Sequence, residues 1–317
     1  MEKVFLTENI HPDAVAYLRE KFEVVQGTSI ESSEIIRQAQ GCSAILIRSA
    51  KITEEIMDAI PTLKVVAKHG MGVDNIAVDY ATEKGILVVN APYSNLNAVA
   101  EHIVMLMLAL SKRTVRMDKL TRNGGFQERN TYKTIELKGS TVGIIGLGKI
   151  SRLVVKKISG FEMNILASDP YVKQEDVGDL SVTMVPPEEI YAKSDFVIVH
   201  TSLFPSTFHL VGAEQFQAMK PTAFIINAAR GPVIDEAAMI EALRSGEIAG
   251  AGLDVFEQEP PATDNPLFSM DNVIVSPHNA ALSDGALRAM AMDSAGGITE
   301  YLTGKPVTYP VNKEVLK

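Results

Sequence analysis

The sequence predicts an α/β protein built from two doubly wound parallel sheets, each covered by helices. Three observations favour this class. Short apolar segments alternate with helical segments over about the first ninety residues. The same alternation resumes after a glycine-rich turn near residue 146. The chain of 317 residues, 46% of them hydrophobic, is long enough for two domains with separate cores.

The first region contains five candidate strands, which are short and apolar, as expected for strands buried on both faces. They cover residues 3–6, 23–25, 44–47, 64–67 and 86–89. Helical patterns separate them at residues 12–21, 31–40, 54–60 and 78–84. This alternation predicts one parallel sheet. A further apolar helix over residues 98–110 is too short to cross a bilayer, which takes roughly 20 residues, so we expect it to be buried between domains or subunits.

A strand–turn–helix–strand unit follows, starting with an apolar strand at residues 142–145. Gly146 permits a tight turn, and Gly148 lets the backbone approach a pyrophosphate at the start of the next helix. The second strand, residues 164–168, ends at Asp169, near the spacing of roughly 20 residues expected for a ribose-binding acid. Such an acid accepts hydrogen bonds from ribose hydroxyls and repels a 2′-phosphate. The unit therefore predicts a dinucleotide site that prefers NAD to NADP.

Ser151 occupies the position where this turn usually carries a third glycine. That glycine serves the packing of helix on strand rather than phosphate contact. We therefore expect slightly wider packing and an intact site.

The remaining strands complete a second sheet of about six strands. They are predicted at residues 196–199, 223–226, 252–255 and 273–275. A helix between them has Asp235 as a plausible N-cap and Gly246 as its stop. A last helix runs from Asp284 to about Leu302 and is too short to form a third domain. We expect it to pack on the first region, which gives one domain of residues 1–98 and 284–317 and another of residues 99–283.

Three reactive residues follow three predicted strands of the second sheet. Arg230, Glu259 and His278 should meet, because the carboxyl ends of parallel strands share one edge. Together they suit hydride transfer to a 2-oxo acid. His278 can supply the proton, and Glu259 can hold its other ring nitrogen and raise its pKa. Arg230 offers a planar fork to the substrate carboxylate.

Four segments carry a definite family resemblance, and their spacing agrees as well. They are Gly146-Leu147-Gly148-Lys149-Ile150, Asn227-Ala228-Ala229-Arg230-Gly231, Gly252-Leu253-Asp254-Val255-Phe256-Glu257-Gln258-Glu259-Pro260 and Ser276-Pro277-His278. The sequence resembles the D-isomer-specific 2-hydroxyacid dehydrogenase family, in its phosphoglycerate dehydrogenase-like branch. The resemblance implies a Rossmann dinucleotide-binding domain inserted into a flavodoxin-like substrate domain, with NAD as cofactor and no metal.

The resemblance also implies which residues bind the ligands. The cofactor-binding set is Gly146, Gly148, Lys149, Ile150, Asp169, His200, Thr201, Ala228 and Asp254, with Asp254 near the nicotinamide carboxamide. The substrate-binding set is Arg48, Met71, Gly72, Arg230 and His278. Gly70 and Gly72 permit a turn whose backbone N–H groups bind an anion. Arg48 and Lys68 would suit a phosphate on the substrate, although both fit equally well as solvated charges.

The sequence thus predicts an NAD-dependent D-2-hydroxyacid dehydrogenase, with the pair 3-phosphoglycerate and phosphohydroxypyruvate placed first among its substrates. Phe204 and Asn279 depart from the branch pattern at the pocket edge. The substrate of the branch can therefore not be assigned to this sequence directly. One alternative is a glyoxylate/hydroxypyruvate reductase. Another is an NAD-sensing corepressor-like binding protein, which the presence of all three catalytic residue types disfavours.

The composition and the N-terminal segment indicate which classes of partner and which cellular compartment to expect. The net charge is −9 and no basic block is present, which argues against nucleic acid. The single cysteine, Cys42, cannot form an internal disulfide and is expected to be a small buried residue. The N-terminal segment lacks a secretory signal pattern, so we expect a cytoplasmic protein without a membrane partner. The resemblance implies a homodimer.

Overall fold

A computed structural model describes all 317 residues, and the chain divides into two compact units. The discontinuous unit comprises Met1–Asn95 and Ala281–Lys317, and the continuous unit comprises Leu96–Ala280. Both divisions lie three residues before the predicted boundaries, at 95/96 instead of 98/99 and at 280/281 instead of 283/284. The first difference arises because the fifth helix begins at Leu96, so the whole helix belongs to the continuous unit.

The discontinuous unit contains a five-stranded parallel sheet. Its strands are β1 (Lys3–Leu6), β2 (Glu23–Gln26), β3 (Ala44–Ile47), β4 (Val65–Lys68) and β5 (Leu87–Val89). Its first four helices are α1 (Pro12–Arg19), α2 (Ser32–Gln38), α3 (Glu54–Ala59) and α4 (Val78–Glu83). The strand order β2-β1-β3-β4-β5 is the flavodoxin-like order that the family resemblance implies.

The continuous unit contains a seven-stranded parallel sheet. Its strands are β6 (Thr141–Ile145), β7 (Asn164–Ser168), β8 (Thr183–Met184), β9 (Phe196–Val199), β10 (Phe224–Asn227), β11 (Gly250–Leu253) and β12 (Val273–Val275). Its helices are α5 (Leu96–Ser111), α6 (Thr114–Arg122), α7 (Lys149–Ile158), α8 (Pro187–Lys193), α9 (Ala213–Ala218) and α10 (Glu236–Ser245). The order β8-β7-β6-β9-β10-β11-β12 reverses direction between β6 and β9. Ligands of doubly wound sheets bind at such a reversal, beside the carboxyl ends of the strands.

Two features of this sheet differ from the prediction. The sheet has seven strands rather than six, because β8 is only two residues long and gives no apolar run. Strand β11 begins at Gly250 rather than Gly252. A Cβ on Gly250 would lie 2.3 Å from the carbonyl oxygen of Asn272, where the two backbones approach closely. Glycine is a weak strand signal, yet the close backbone approach requires it here. The shift places Asp254 in the loop that follows β11 instead of inside the strand.

The last helix, α11 (Asp284–Leu302), spans the residues predicted for it. Its N-cap Ser283 accepts a hydrogen bond from the backbone N–H of Ala286. Ala291, Ala295 and Ile298 pack with residues of β1, β3, β4 and β5 in one apolar cluster. The helix therefore covers one face of the five-stranded sheet, as expected from its apolar pattern.

Helix α5 packs within the continuous unit against α7, β10 and β11. Gly252 permits the close approach, since a Cβ there would lie 3.1 Å from a methyl carbon of Leu110 and 3.3 Å from Cβ of Leu106. None of the helices combines the length and the apolar character needed to span a bilayer. The homodimer stays a prediction. Cys42 is buried, and burial raises the pKa of its thiol, which confirms its role as a core residue.

Candidate active site

The glycine turn joins β6 to α7, and its two glycines serve different needs. Gly146 has a φ of 90°, and a Cβ there would lie 2.6 Å from the carbonyl oxygen of His200, so the fold itself requires glycine. Gly148 is the N-cap of α7 and has no atom within 4 Å of where a Cβ would stand. Open space therefore lies in front of a helix N-terminus, where unpaired N–H groups and the helix dipole favour an anion. Lys149 and Ile150 form the first turn of this helix.

Asp169 follows β7 and reaches back to the glycine turn. Its Oδ2 accepts a hydrogen bond from the N–H of Leu147 at 2.8 Å, and its Oδ1 accepts one from the N–H of Tyr171 at 2.8 Å. A carboxylate has about four acceptor positions, so further hydrogen bonds from hydroxyl groups remain possible. The turn, the open space at Gly148 and this acid together fit a dinucleotide.

Ser151 is fully buried in the first turns of α7. Its Oγ donates a 2.6 Å hydrogen bond to the carbonyl oxygen of Gly146. The serine that replaces the usual glycine therefore ties the helix to the turn and leaves no unpaired hydroxyl.

His200 and Thr201 follow β9 beside the same turn, and Thr201 Cβ lies 3.2 Å from the position of a Cβ on Gly146. Burial, with a smaller effect from the positive charge of Arg230, lowers the pKa of His200 to about 4. The imidazole is therefore neutral at pH 7. Ala228 lies buried after β10. The cofactor contacts predicted for these three residues stay predictions.

The three predicted catalytic residues follow β10, β11 and β12, and the structure brings His278 and Glu259 into direct contact. His278 Nδ1 and Glu259 Oε2 are 2.7 Å apart. Glu259 Oε1 also accepts a hydrogen bond from the N–H of Phe256 at 3.1 Å. Because an ionised carboxylate only accepts hydrogen bonds, Nδ1 carries the proton and Nε2 faces away from Glu259.

Glu259 is held as a carboxylate. Burial raises its pKa, but the hydrogen bond and charge of His278, the Phe256 N–H and the charge of Arg230 together bring the pKa below the ordinary value. The guanidinium of Arg230 thus acts on both Glu259 and His200, which places it near the pair of Glu259 and His278. Its Nη1 also donates to the carbonyl oxygen of Ala229 at 2.7 Å.

The loop that carries His278 is shaped by Asp254, whose side chain is only 1% exposed. Asp254 Oδ1 accepts hydrogen bonds from Ser276 Oγ at 2.6 Å and from the N–H of Asn279 at 2.9 Å. Its Oδ2 accepts one from the N–H of Ala280 at 2.9 Å. His278 itself has a φ of 50°, and its N–H donates to the carbonyl oxygen of Asp254 at 2.8 Å. The structure therefore gives Asp254 a positioning role, while its predicted contact with the cofactor stays a prediction.

The roles of two further residues in this network were not predicted from the sequence. His102 on α5 lies with its Nε2 3.0 Å from Ser276 Oγ. Since the Ser276 proton points to Asp254, His102 donates to the serine. A histidine in an apolar helix and a serine before proline give little signal alone. Their role becomes visible only from the contacts of His102 with Ser276 and of Ser276 with Asp254.

Gly231 was named only as part of a motif, yet it is the most crowded glycine of the chain. A Cβ there would lie 1.8 Å from the carbonyl oxygen of Phe256 and 2.5 Å from the backbone nitrogen of Glu257. The loop that carries Arg230 therefore touches the backbone of the loop that leads to Glu259. Any larger residue must push the two loops apart.

The predicted substrate residues of the discontinuous unit lie in two loops, after β3 and after β4. Glu8 accepts hydrogen bonds from the N–H groups of Arg48, at 2.9 Å, and of Ser49, also at 2.9 Å. Ser49 Oγ donates to Glu8 Oε1 at 2.5 Å, and Arg48 Nη1 donates to the carbonyl oxygen of Asn9 at 3.2 Å. An internal carboxylate thus occupies the donors of the turn after β3.

The loop after β4 presents backbone donors instead. The N–H groups of Met71, Gly72 and Val73 have no hydrogen-bond acceptor in the structure. Asn90 Nδ2 fixes the loop by donating to the carbonyl oxygen of Met71 at 2.7 Å. Three consecutive N–H groups without acceptors suit an anionic oxygen, as the glycine pattern predicts.

Comparison with known proteins agrees with this geometry. The model of the NAD-binding domain of D-isomer specific 2-hydroxyacid dehydrogenases matches residues 104–280. A D-3-phosphoglycerate dehydrogenase of Archaeoglobus fulgidus is 40% identical over 312 residues, which cover 98% of this chain and 59% of that protein. A glyoxylate reductase of Pyrococcus furiosus is 36% identical over 325 residues, which cover 99% of this chain and 96% of the relative.

The solved structure of an NADPH-dependent glyoxylate/hydroxypyruvate reductase of Sinorhizobium meliloti superimposes with a TM-score of 0.88 at 28% identity and covers 99% of both chains. This chain spans only about 59% of the first phosphoglycerate dehydrogenase relative. The match to the NAD-binding domain lies within the continuous unit, which is therefore the part that binds a nicotinamide cofactor. The chain belongs to the D-isomer specific 2-hydroxyacid dehydrogenase family.

Proposed function

We propose that this protein is an NAD-dependent D-2-hydroxyacid dehydrogenase that acts on a small 2-hydroxy or 2-oxo acid. One observation carries the proposal: His278 is hydrogen-bonded to Glu259, and both lie at the carboxyl edge of the sheet that also carries the glycine turn. A bound nicotinamide supplies or accepts a hydride. The remaining requirement is a group that moves one proton at the substrate oxygen.

His278 is suited to that proton transfer. The bond from Nδ1 to Glu259 fixes the tautomer and the ring orientation, and it leaves Nε2 to donate a proton to the carbonyl oxygen. In the oxidation direction Nε2 accepts the hydroxyl proton. Glu259 stabilises the positive charge that the ring then carries, because the carboxylate is itself kept ionised.

Arg230 binds the substrate carboxylate in this proposal. Its planar fork of N–H donors matches the two oxygens of a carboxylate, and its charge polarises the neighbouring carbonyl group. Within the discontinuous unit, the loop of Met71 and Gly72 has backbone N–H groups that are suited to an anionic oxygen.

The preference for NAD depends on Asp169. Replacing Asp169 with alanine removes an ionised acceptor for the ribose hydroxyls, so we expect kcat/KM with NADH to fall by roughly tenfold or more. The value with NADPH should fall less or rise, because the 2′-phosphate no longer meets a carboxylate. Steady-state rates with both cofactors give the ratio. Asp179→Ala, an exposed acid of the following loop, is the matched control. An unchanged NADH/NADPH ratio in Asp169→Ala would assign ribose recognition elsewhere.

The contacts of Glu8 bear on the substrate. Burial raises the pKa of Glu8, but the Ser49 hydroxyl and the backbone N–H groups of Arg48, Ser49 and Ala50 bring it below the ordinary value. A substrate phosphate at this turn would meet a fixed negative charge and donors that are already engaged. This observation weighs against the predicted phosphate contact of Arg48 and supports the second candidate, a glyoxylate/hydroxypyruvate reductase, over a phosphoglycerate dehydrogenase.

A panel of four oxo acids tests the function. NADH oxidation is measured with glyoxylate, pyruvate, hydroxypyruvate and phosphohydroxypyruvate. We expect kcat/KM for hydroxypyruvate to exceed that for phosphohydroxypyruvate. The reverse order would favour the phosphoglycerate branch. Absence of NADH oxidation with all four acids would contradict a dehydrogenase and favour the corepressor-like alternative.

A further inference from the structure

The loop that carries His278 is attached to Asp254 by three successive backbone N–H groups. That of His278 donates to the carbonyl oxygen of Asp254 at 2.8 Å. Those of Asn279 and Ala280 donate to the Asp254 carboxylate, each at 2.9 Å. With a φ of 50°, His278 has a left-handed conformation, which is unfavourable for a residue other than glycine. The conformation of the loop therefore depends on where the Asp254 carboxylate stands.

A hydroxyl group of the same loop orients this carboxylate. Ser276 Oγ lies 2.6 Å from Asp254 Oδ1, which places a proton between the two oxygens. Because an ionised carboxylate only accepts hydrogen bonds, the serine is the donor. The carbonyl oxygen of Leu253, at 3.4 Å from Oγ, is a weaker competing acceptor. The hydroxyl can thus point in two directions, and only one of them holds Asp254.

His102 favours the direction that holds Asp254. It lies on α5, which packs against β11, and its side chain is only 13% exposed. Its Nε2 is 3.0 Å from Ser276 Oγ and, because the single serine proton goes to Asp254, Nε2 carries the hydrogen of this contact. A hydroxyl that accepts a hydrogen bond donates its own proton more strongly. Nε2 also lies 3.6 Å from Asp254 Oδ1, so its N–H is close to the buried carboxylate.

We propose that His102 is a positioning residue for His278. It acts through the Ser276 hydroxyl on the Asp254 carboxylate, which holds the loop in the conformation where His278 Nδ1 meets Glu259. All of these residues belong to the continuous unit. The inference rests on the proposed function, because it gives a side chain of α5 a part in the proton transfer by His278.

A double-mutant cycle on His102 and Ser276 tests this order of action. His102→Leu removes the donor and introduces an apolar residue that favours helix, so α5 should still form. We expect His102→Leu and Ser276→Ala each to lower kcat for oxo acid reduction by about three- to tenfold. The double variant should lose no more than Ser276→Ala alone, since the imidazole then has no hydroxyl to orient. His102→Gln keeps an N–H donor and should recover most of kcat.

Three results of the cycle would overturn the proposal. One is a double variant whose loss is the product of the two single losses, because independent effects multiply. The second is wild-type kcat in His102→Leu, and the third is weaker NADH binding in that variant without a change in kcat. Glu101→Gln, at an exposed position of the same helix, is the matched control and should keep wild-type kcat. If His102→Leu does not fold, His102→Ala replaces it in the cycle.

Amide hydrogen exchange tests the same contact without turnover. The N–H groups of His278, Asn279 and Ala280 should exchange roughly three- to tenfold faster in His102→Leu and in Ser276→Ala, while those of α5 keep their wild-type rates. An equal increase along α5 would show a general loosening of the helix and contradict the proposal. The measurement needs no substrate, so it distinguishes a failure of the positioning role from a failure of the proposed dehydrogenase function.

Discussion

Replacing His278 with asparagine should lower kcat for oxo acid reduction by about 10²- to 10⁴-fold while the Kd for NADH stays nearly unchanged. The proposed proton donor is the Nε2 atom of the ring, and an amide cannot take over proton transfer. The glycine turn and Asp169 remain intact in the variant. The measurements are steady-state rates with the preferred oxo acid and titration calorimetry with NADH.

Asparagine is chosen because His278 has a φ of 50°. Asparagine tolerates this left-handed conformation, whereas alanine adds backbone strain that would confuse the result. His278→Ala should then lose activity to a similar extent and be less stable. Retention of normal turnover by His278→Asn would remove the imidazole from the chemistry, whatever the stability of the variant.

Replacing Arg230 with glutamine should lower kcat/KM for the oxo acid by about 10²- to 10³-fold, with a rise in KM and a fall in kcat. The fork of donors is lost together with the charge that polarises the carbonyl. Binding of NADH should change little. Rates over a range of oxo acid concentrations separate the two parameters.

Arg230→Lys and Arg244→Gln complete this experiment. Lysine restores the positive charge but not the planar fork of N–H donors, so we expect only partial recovery of kcat/KM. Arg244 lies exposed near the end of α10, and its replacement should have no effect on rates. If Arg230→Gln weakened NADH binding alone and left the KM for the oxo acid unchanged, carboxylate recognition would have to be assigned to other residues.

The parts of the fold that the sequence predicts well are those with a local signal. Strand β7 and helix α11 have the predicted bounds, because apolar periodicity and end residues mark them within the segment itself. Asp235 caps α10 and Gly246 ends it with a φ of 77°, as these residue types predict. The pairing of Glu259 with His278 followed from a further rule, the shared carboxyl edge of parallel strands.

What the sequence does not show depends on neighbours that are distant in the chain. The hydrogen bonds from the Arg48 turn to Glu8 join two loops that are forty residues apart, and neither residue type predicts this contact. The requirement for glycine at 231 comes from the backbone of Phe256. The direction of the Ser276 hydroxyl likewise follows only from its contacts with His102 and Asp254.

The close approach of Gly231 to the Phe256 carbonyl also bears on attempts to re-engineer this protein by directed evolution. Randomised libraries that vary the segment around Arg230 should hold position 231 as glycine, because a Cβ there would lie 1.8 Å from the backbone carbonyl oxygen of Phe256 whichever side chain that residue carries. Variation aimed at altered specificity is therefore better placed in the other loops, above all in the turn after β3 whose N–H groups donate to Glu8.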